Sequence, residues 1–120
     1  MIHHVSFETS DLERSARFYD ATLGALGWRR FLEKDDSIGW GIVQPVFFAS
    51  TRHEVAPGGG HVCFASNSIP AVKGAWEAGI RAGGTDDGAP GQRPQYAPTY
   101  YSAYLLDPDA NRVEIVVSNA

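Results

Sequence analysis

The sequence predicts an α+β fold made of two βαβββ modules, and an internal repeat is the main reason. The tetrapeptide His4-Val5-Ser6-Phe7 recurs as His61-Val62-Cys63-Phe64, an offset of 57 residues. After each copy the apolar residues change from the alternation of a strand to the spacing of a helix. A repeat of this size indicates one supersecondary unit used twice. In a chain of 120 residues, each unit is half of a single domain.

The domain is expected to span residues 1–120, with module 1 over about 1–51, a linker over about 52–59 and module 2 over about 60–120. The linker contains Pro57 followed by three glycines. Such a composition is typical of connecting segments.

In module 1, residues 2–8 predict a strand with His4, Ser6 and Glu8 on one face, because side chains alternate along a strand. A capping-box pattern beginning at Ser10 then predicts the start of a helix. Gly27 is expected to close this helix. Three short strands follow, over residues 28–33, 37–43 and 45–50.

Module 2 repeats this order. Residues 61–66 predict a strand, Ser68 is a suitable helix cap, and Gly83-Gly84 ends that helix. A weak strand and a long loop are expected next, with the loop over residues 88–98, which hold three of the seven prolines. Two strands then complete the module, over residues 100–106 and 112–118, with a turn at residues 107–111.

The composition excludes several classes of partner. The formal net charge is −4 and there is no run of Lys or Arg, which argues against nucleic acid and anionic membranes. The sequence contains no apolar stretch of the roughly 20 residues that a membrane span needs, and no signal-peptide pattern. Cys63 is the single cysteine, so it forms no internal disulfide. We therefore expect a protein of the reducing cytoplasm that binds small molecules.

Glu114 is the most unusual residue of the last strand, because its neighbours are apolar. A hairpin centred on Asp109 would place Tyr104 directly opposite Glu114, with the side chains about 5 Å apart. An unpaired carboxylate is costly to bury. A divalent metal shared with His4 and His61 would compensate it and leave coordination positions open for a substrate.

Each of these residues also has a simpler interpretation. A single histidine in a strand is more often a surface or hydrogen-bonded residue than a ligand, and Glu114 would then be a solvated edge-strand carboxylate. The equivalent positions of His4 and His61 in the repeat favour a pair of ligands. His3 and His53 are expected at the surface, whereas Cys63 is expected in the core or in a cavity wall.

Four segments of the chain resemble the glyoxalase, bleomycin-resistance and extradiol-dioxygenase (vicinal oxygen chelate) superfamily. They are Ile2-His3-His4-Val5, residues 10–15 with Phe18-Tyr19, Gly60-His61-Val62-Cys63-Phe64, and residues 106–114. The resemblance implies βαβββ modules whose curled mixed sheet surrounds a cavity, usually in a homodimer. It also implies that His4, His61 and Glu114 hold a divalent metal, leaving open whether this is iron, manganese, zinc, nickel or cobalt.

The chain also departs from this family pattern. Glyoxalase I has a fourth ligand, usually Glu, where this sequence has Phe48, which argues against a lactoylglutathione lyase. Tyr104 stands ten residues before Glu114, as the catalytic Tyr does in extradiol dioxygenases, and we therefore predict Tyr104 and Glu114 as catalytic residues. Ala110 replaces the usual Gly of the last turn, which predicts slight backbone strain.

The sequence is therefore compatible with two functions. The first is a metal-dependent lyase, isomerase or dioxygenase-like enzyme that acts on a small substrate with vicinal oxygens. The second is a metal-free binding protein of the bleomycin-resistance type. Its ligand would lie in a groove lined by residues such as Trp40, Phe48, Tyr96 and Tyr101.

Overall fold

The protein is described here by a computed structural model, in which residues 1–118 are described. Residues 119 and 120, the end of the predicted domain, lie outside the described residues. Module 1 contains β1 (Val5–Glu8), α1 (Leu12–Gly24), β2 (Arg29–Lys34), β3 (Ser37–Gly41) and β4 (Pro45–Ser50). Module 2 contains β5 (His61–Ala65), α2 (Ile69–Arg81), β6 (Thr85–Gln92), β7 (Tyr101–Leu106) and β8 (Arg112–Val117). The predicted α+β fold with two βαβββ modules is confirmed.

Each module forms one four-stranded mixed sheet, with the orders β1-β4-β3-β2 and β5-β8-β7-β6. The first and last strands of each module pair in parallel, and the other pairs are antiparallel. The registers are also equivalent. Ser6 lies opposite Phe48 in module 1, and its repeat partner Cys63 lies opposite Glu114 in module 2.

The helices start at capping residues, although one cap is displaced from the predicted position. Asp11, rather than Ser10, caps α1, and its carboxylate accepts a hydrogen bond of 3.1 Å from the Arg14 backbone N–H. The Ser10 hydroxyl instead donates to Asp109 in module 2. Ser68 caps α2 as predicted, with its Oγ 3.1 Å from the Ala71 backbone nitrogen.

The two modules share one core. The Phe64 ring of β5 lies 5.3 Å from the Phe47 ring of β4, centroid to centroid. Tyr19 of α1 donates a buried hydrogen bond of 2.6 Å to Asp107 in the turn between β7 and β8. Burial, together with the charge of Asp107, raises the pKa of Tyr19, so the phenol keeps its proton and remains a donor. The two modules are therefore joined by a common core and by a buried hydrogen bond.

The predicted loop over residues 88–98 is wrong at its start, because β6 extends to Gln92. Gly88 and Pro90 suggested a loop, but β6 is an edge strand, where a missing backbone N–H is tolerated. Two register shifts in the pairing with β7 accommodate the glycines. The connection to β7 is therefore residues 93–100. Neither helix within residues 1–118 is long and apolar enough to span a membrane.

Candidate functional site

The predicted site residues lie on the faces of the two sheets that are turned away from the helices. α1 contacts β2, β3 and β4, and α2 contacts β6, β7 and β8. Val5, Phe7 and Phe64 pack into the core on the helix side. Because side chains alternate, His4 and Ser6 lie on the opposite face of module 1, and His61 and Cys63 lie on the opposite face of module 2.

Glu114 is the centre of the module 2 face. Its side chain is only 6% exposed, and its Oε1 lies 3.5 Å from Nε2 of His61, which is 51% exposed. Its Oε2 accepts a hydrogen bond of 2.5 Å from the hydroxyl of Tyr100. Cys63 and Tyr104 occupy the directly opposite positions on the two neighbouring strands. The pairing of Tyr104 with Glu114 predicted from the hairpin is confirmed.

Tyr100 is the functional candidate that sequence reasoning missed. It precedes β7 and shares strand parity with Tyr104, so both side chains lie on the face of Glu114. Its carbonyl accepts a hydrogen bond from the Arg93 backbone N–H, which closes the base of the 93–100 loop. The parity was visible in the sequence, but the diagonal reach of Tyr100 to Glu114 depends on side-chain rotamers.

The groups around Glu114 are held in their protonated forms. Burial raises the pKa of Tyr100, and the hydrogen bond to Glu114 and its negative charge raise it further. Burial and the charge of Glu114 also raise the pKa of Tyr104. The same two causes raise the pKa of the Cys63 thiol to about 12. At neutral pH these groups are therefore hydrogen-bond or proton donors, and Cys63 is not a thiolate nucleophile.

Two arginines border the Tyr104 ring. The Arg112 guanidinium carbon lies 4.4 Å from the ring centroid, and that of Arg93 lies 5.6 Å from it. Both distances are within the range of cation–π contacts. Arg112 is also ion-paired to Asp87, with 2.8 Å between Nε and Oδ2. The Tyr104 ring, which lies opposite Glu114, is therefore flanked by two guanidiniums.

The equivalent face of module 1 carries an aromatic ring where module 2 has the buried carboxylate. Phe48 occupies the register position that Glu114 has in module 2, and its ring covers Gly39, where an added Cβ would lie 2.5 Å from Phe48 Cε2. The His4 ring contacts the edge of Phe48 at 5.5 Å, and its Nδ1 lies 2.9 Å from Nδ1 of His3. His4 and Phe48 border a cavity of about 440 Å³ that is lined mostly by polar side chains, among them Lys34. This face therefore presents the imidazoles of His4 and His53 and the part-buried carboxylate of Glu8, but it has no carboxylate at the register position of Glu114.

Two of the three predicted metal ligands, His61 and Glu114, lie close together. Across residues 1–118, no group of three or more His, Cys, Asp and Glu side chains is arranged to hold a metal ion. His61 and Glu114 present a nitrogen and an oxygen close enough to share one cation, and these donor types suit a divalent transition metal. His4 borders the same 530 Å³ cavity as His61 but does not join this pair. The residues thus fit two positions of such a site within one protomer.

Some predicted groove residues have other positions. Trp40 is 1% exposed and lies in the core, where its indole N–H donates to Asp20, so it does not line a groove. Tyr101 packs against the core, and only Tyr96 is well exposed. His3 and His53 are exposed, as predicted.

Comparison with known proteins agrees with the fold and the strand positions. The family model of the glyoxalase/bleomycin resistance protein/dioxygenase superfamily matches residues 1–115. The chain belongs to this superfamily. A glyoxalase/bleomycin resistance protein from Albidiferax ferrireducens T118 has a similar structure, with a TM-score of 0.81 and 32% identity over 94% of each chain. The superfamily resemblance drawn from the sequence is thereby confirmed.

More distant superfamily structures share the fold. A glyoxalase-related enzyme from Fulvimarina pelagi is 21% identical over 98% of this chain and 88% of its own, with a TM-score of 0.77. A lactoylglutathione lyase from Agrobacterium tumefaciens is 19% identical over 97% of this chain and 92% of its own, with a TM-score of 0.70. No curated protein matches the chain. These likenesses establish architecture, and the activity has to be inferred from the site.

Proposed function

We propose that this superfamily member is a metal-dependent lyase, isomerase or dioxygenase-like enzyme acting in the cytoplasm on a small substrate with vicinal oxygens. The observation that carries the proposal is the buried carboxylate of Glu114 beside the exposed imidazole of His61. A structural carboxylate would normally have its partners in the protein interior. Glu114 instead presents Oε1 towards a side chain that reaches solvent, as a ligand-binding group does.

We assign the metal-holding role to His61 and Glu114, together with His4 from a second protomer. Two histidines and one carboxylate leave coordination positions open for substrate oxygens. When bound, the metal would act as a Lewis acid on those oxygens. The Tyr100 hydroxyl donates to Oε2 of Glu114, which orients the carboxylate so that Oε1 lies towards His61.

The protein's own contribution to the reaction is a proton or hydrogen-bond donor beside the substrate oxygens. Tyr104 stands directly opposite Glu114, and its raised pKa keeps the hydroxyl protonated at neutral pH. It can therefore donate a proton or a hydrogen bond to a substrate oxygen next to Glu114. The 93–100 loop borders this position through Tyr100 and Tyr96, whose rings lie 5.2 Å apart.

A homodimer would complete the site. β1 and β5 are edge strands, and His4, Ser6, His61 and Cys63 on them are exposed. Unpaired edges with exposed site residues favour coverage by a second copy, which could bring His4 to the His61–Glu114 pair. Analytical ultracentrifugation at micromolar concentration should show a dimer. A monomer would remove the source proposed for the third ligand.

The experiment that tests the function is elemental analysis of the protein purified without a polyhistidine tag. About one divalent transition metal per protomer is expected, and the Glu114→Ala variant should contain much less. A parent protein that neither contains metal nor takes it up at micromolar concentration would contradict the enzyme proposal.

A protein that binds no metal would instead favour a metal-free binding protein. A feature of module 1 supports this second function. Phe48 occupies the position that Glu114 has in module 2, and its ring forms an apolar patch in the wall of a cavity of about 440 Å³. A cavity of this size suits a small planar ligand. Tryptophan fluorescence with planar aromatic compounds would then detect binding that metal does not alter.

A further inference from the structure

One of the two guanidiniums beside Tyr104 has a carboxylate partner, and the other has none. Arg112 is paired with Asp87 at 2.8 Å. Arg93 takes part in none of the ion pairs found within residues 1–118. Its Nη2 donates to the Ala89 carbonyl at 2.8 Å, and its Nε is buried without a hydrogen-bond partner. Arg93 is thus a fixed cation with donor capacity left over.

The backbone beneath Arg93 holds its side chain on the site face. β6 has glycines at positions 88 and 91, and an added Cβ there would lie 3.5 Å and 3.6 Å from the two terminal nitrogens of Arg93. Gly88 pairs with Tyr104, and Tyr104 pairs with Glu114. The Arg93 guanidinium therefore lies above β6, two strands from Glu114 on β8, which corresponds to a separation of about 10 Å.

We propose, resting on the function proposed above, that Arg93 binds a carboxylate of the substrate. Substrates would then carry vicinal oxygens at one end and a carboxylate at the other, with the Tyr104 ring between the two binding points. A guanidinium binds a carboxylate through parallel hydrogen bonds, and these are stronger than neutral ones. Arg112 does not compete for this role, because Asp87 already neutralises it.

The test compares three small probes by titration calorimetry on protein saturated with Mn²⁺. Catechol has vicinal oxygens only, benzoate has a carboxylate only, and 3,4-dihydroxybenzoate has both. We expect 3,4-dihydroxybenzoate to bind at least about tenfold more tightly than catechol. Arg93→Met should abolish this advantage and leave catechol affinity unchanged, whereas Arg93→Lys should keep part of it. Arg81→Met, at the exposed end of α2, is the matched control.

The outcomes separate this inference from the function on which it rests. Equal affinity for catechol and 3,4-dihydroxybenzoate, or an advantage that survives Arg93→Met in a protein with unchanged thermal stability, would overturn the Arg93 proposal alone. Binding of benzoate that needs Arg93, without any binding of catechol, would refute the vicinal-oxygen function and support the carboxylate site. If none of the probes binds, both proposals fail.

Discussion

Modules 1 and 2 have the same strand order and register but very different site faces. Three register positions show the contrast: Ser6, Phe48 and Gly39 in module 1 correspond to Cys63, Glu114 and Tyr104 in module 2. Each module keeps a histidine at the start of its first strand, His4 or His61. The repeat therefore preserves the scaffold and one histidine, while the buried carboxylate with its two neighbouring phenols is found in module 2.

The connection before the third strand of each module accounts for much of this difference. In module 1, β2 and β3 are joined by the two residues Asp35-Asp36. In module 2, residues 93–100 join β6 to β7 and carry Arg93, Tyr96 and Tyr100 to the site face. A carboxylate at the Phe48 position would have no such cover. The longer loop lets module 2 bury Glu114 with a phenol as its hydrogen-bond partner.

The largest expected effect comes from removing the proposed metal ligands of either module. His4→Ala, His61→Ala and Glu114→Ala should each lower divalent-metal affinity by about 100-fold or more, because a three-ligand site rarely survives the loss of one ligand. Competition with a fluorescent chelator measures the affinity, and His53→Ala is the histidine control. If His4→Ala binds metal normally, the site belongs to module 2 alone. Normal binding in all three variants would eliminate the site.

The two phenols of module 2 should have separable roles. Tyr104→Phe should lower turnover by about 100-fold with metal content preserved, the scale expected for a lost proton donor. Tyr100→Phe should instead weaken metal binding by about tenfold, because it removes the hydrogen bond that orients Glu114. Steady-state kinetics and chelator competition distinguish these effects. If Tyr104→Phe keeps full turnover, the Tyr104 hydroxyl is not a proton donor in the reaction and its role is structural.

The effect of Glu114 on the two phenols can be tested by spectroscopy without any substrate. The negative charge of Glu114 contributes to the raised pKa of Tyr100 and Tyr104. Glu114→Gln removes that charge, so Tyr100 and Tyr104 should ionise at a lower pH than in the parent. Their share of the tyrosine absorbance change at alkaline pH is identified from the Tyr100→Phe and Tyr104→Phe variants. An unchanged titration curve would show that Glu114 does not act on the phenols.

Restoring the missing carboxylate of module 1 would sharpen the comparison. Phe48→Glu gives module 1 the group that module 2 has at the equivalent position. If the two faces meet across a dimer, metal affinity should rise by about tenfold through the added ligand. Phe48→Gln has the same shape without the charge and is the control. Equal affinities in the two variants would indicate that the module 1 face does not approach the metal.

Sequence reasoning succeeded where local signals were sufficient. The repeat indicated two equivalent modules, and the turn at residues 107–111 determined that Tyr104 pairs with Glu114. It failed where contacts between distant parts of the chain determine the secondary structure. β6 contains Gly88, Pro90 and Gly91, and only its edge position in the sheet makes that composition tolerable in a strand.

The site itself was less predictable than the fold. The hydrogen bond between Tyr100 and Glu114 spans two strands diagonally and depends on rotamers that the sequence does not specify. The burial of Trp40 depends on packing against Tyr19 and Phe47, which come from two other elements of module 1. Patterns in sequence thus identified which residues share a face, and the side-chain partners required the structure.

The smallest expected effect concerns two alanines, one in each module, that differ in backbone conformation. Ala110, in the module 2 turn, has a positive φ of 66°, whereas Ala25, after α1 in module 1, has a φ of −66°. The left-handed conformation costs a non-glycine residue about 1–2 kcal/mol, and glycine adds about 0.4–1 kcal/mol of unfolded-state entropy. Ala110→Gly should therefore stabilise the fold by about 0.5 kcal/mol, whereas the same change at Ala25 should destabilise it. Urea unfolding measures both free energies, and a loss of stability in Ala110→Gly would show that its backbone is not strained.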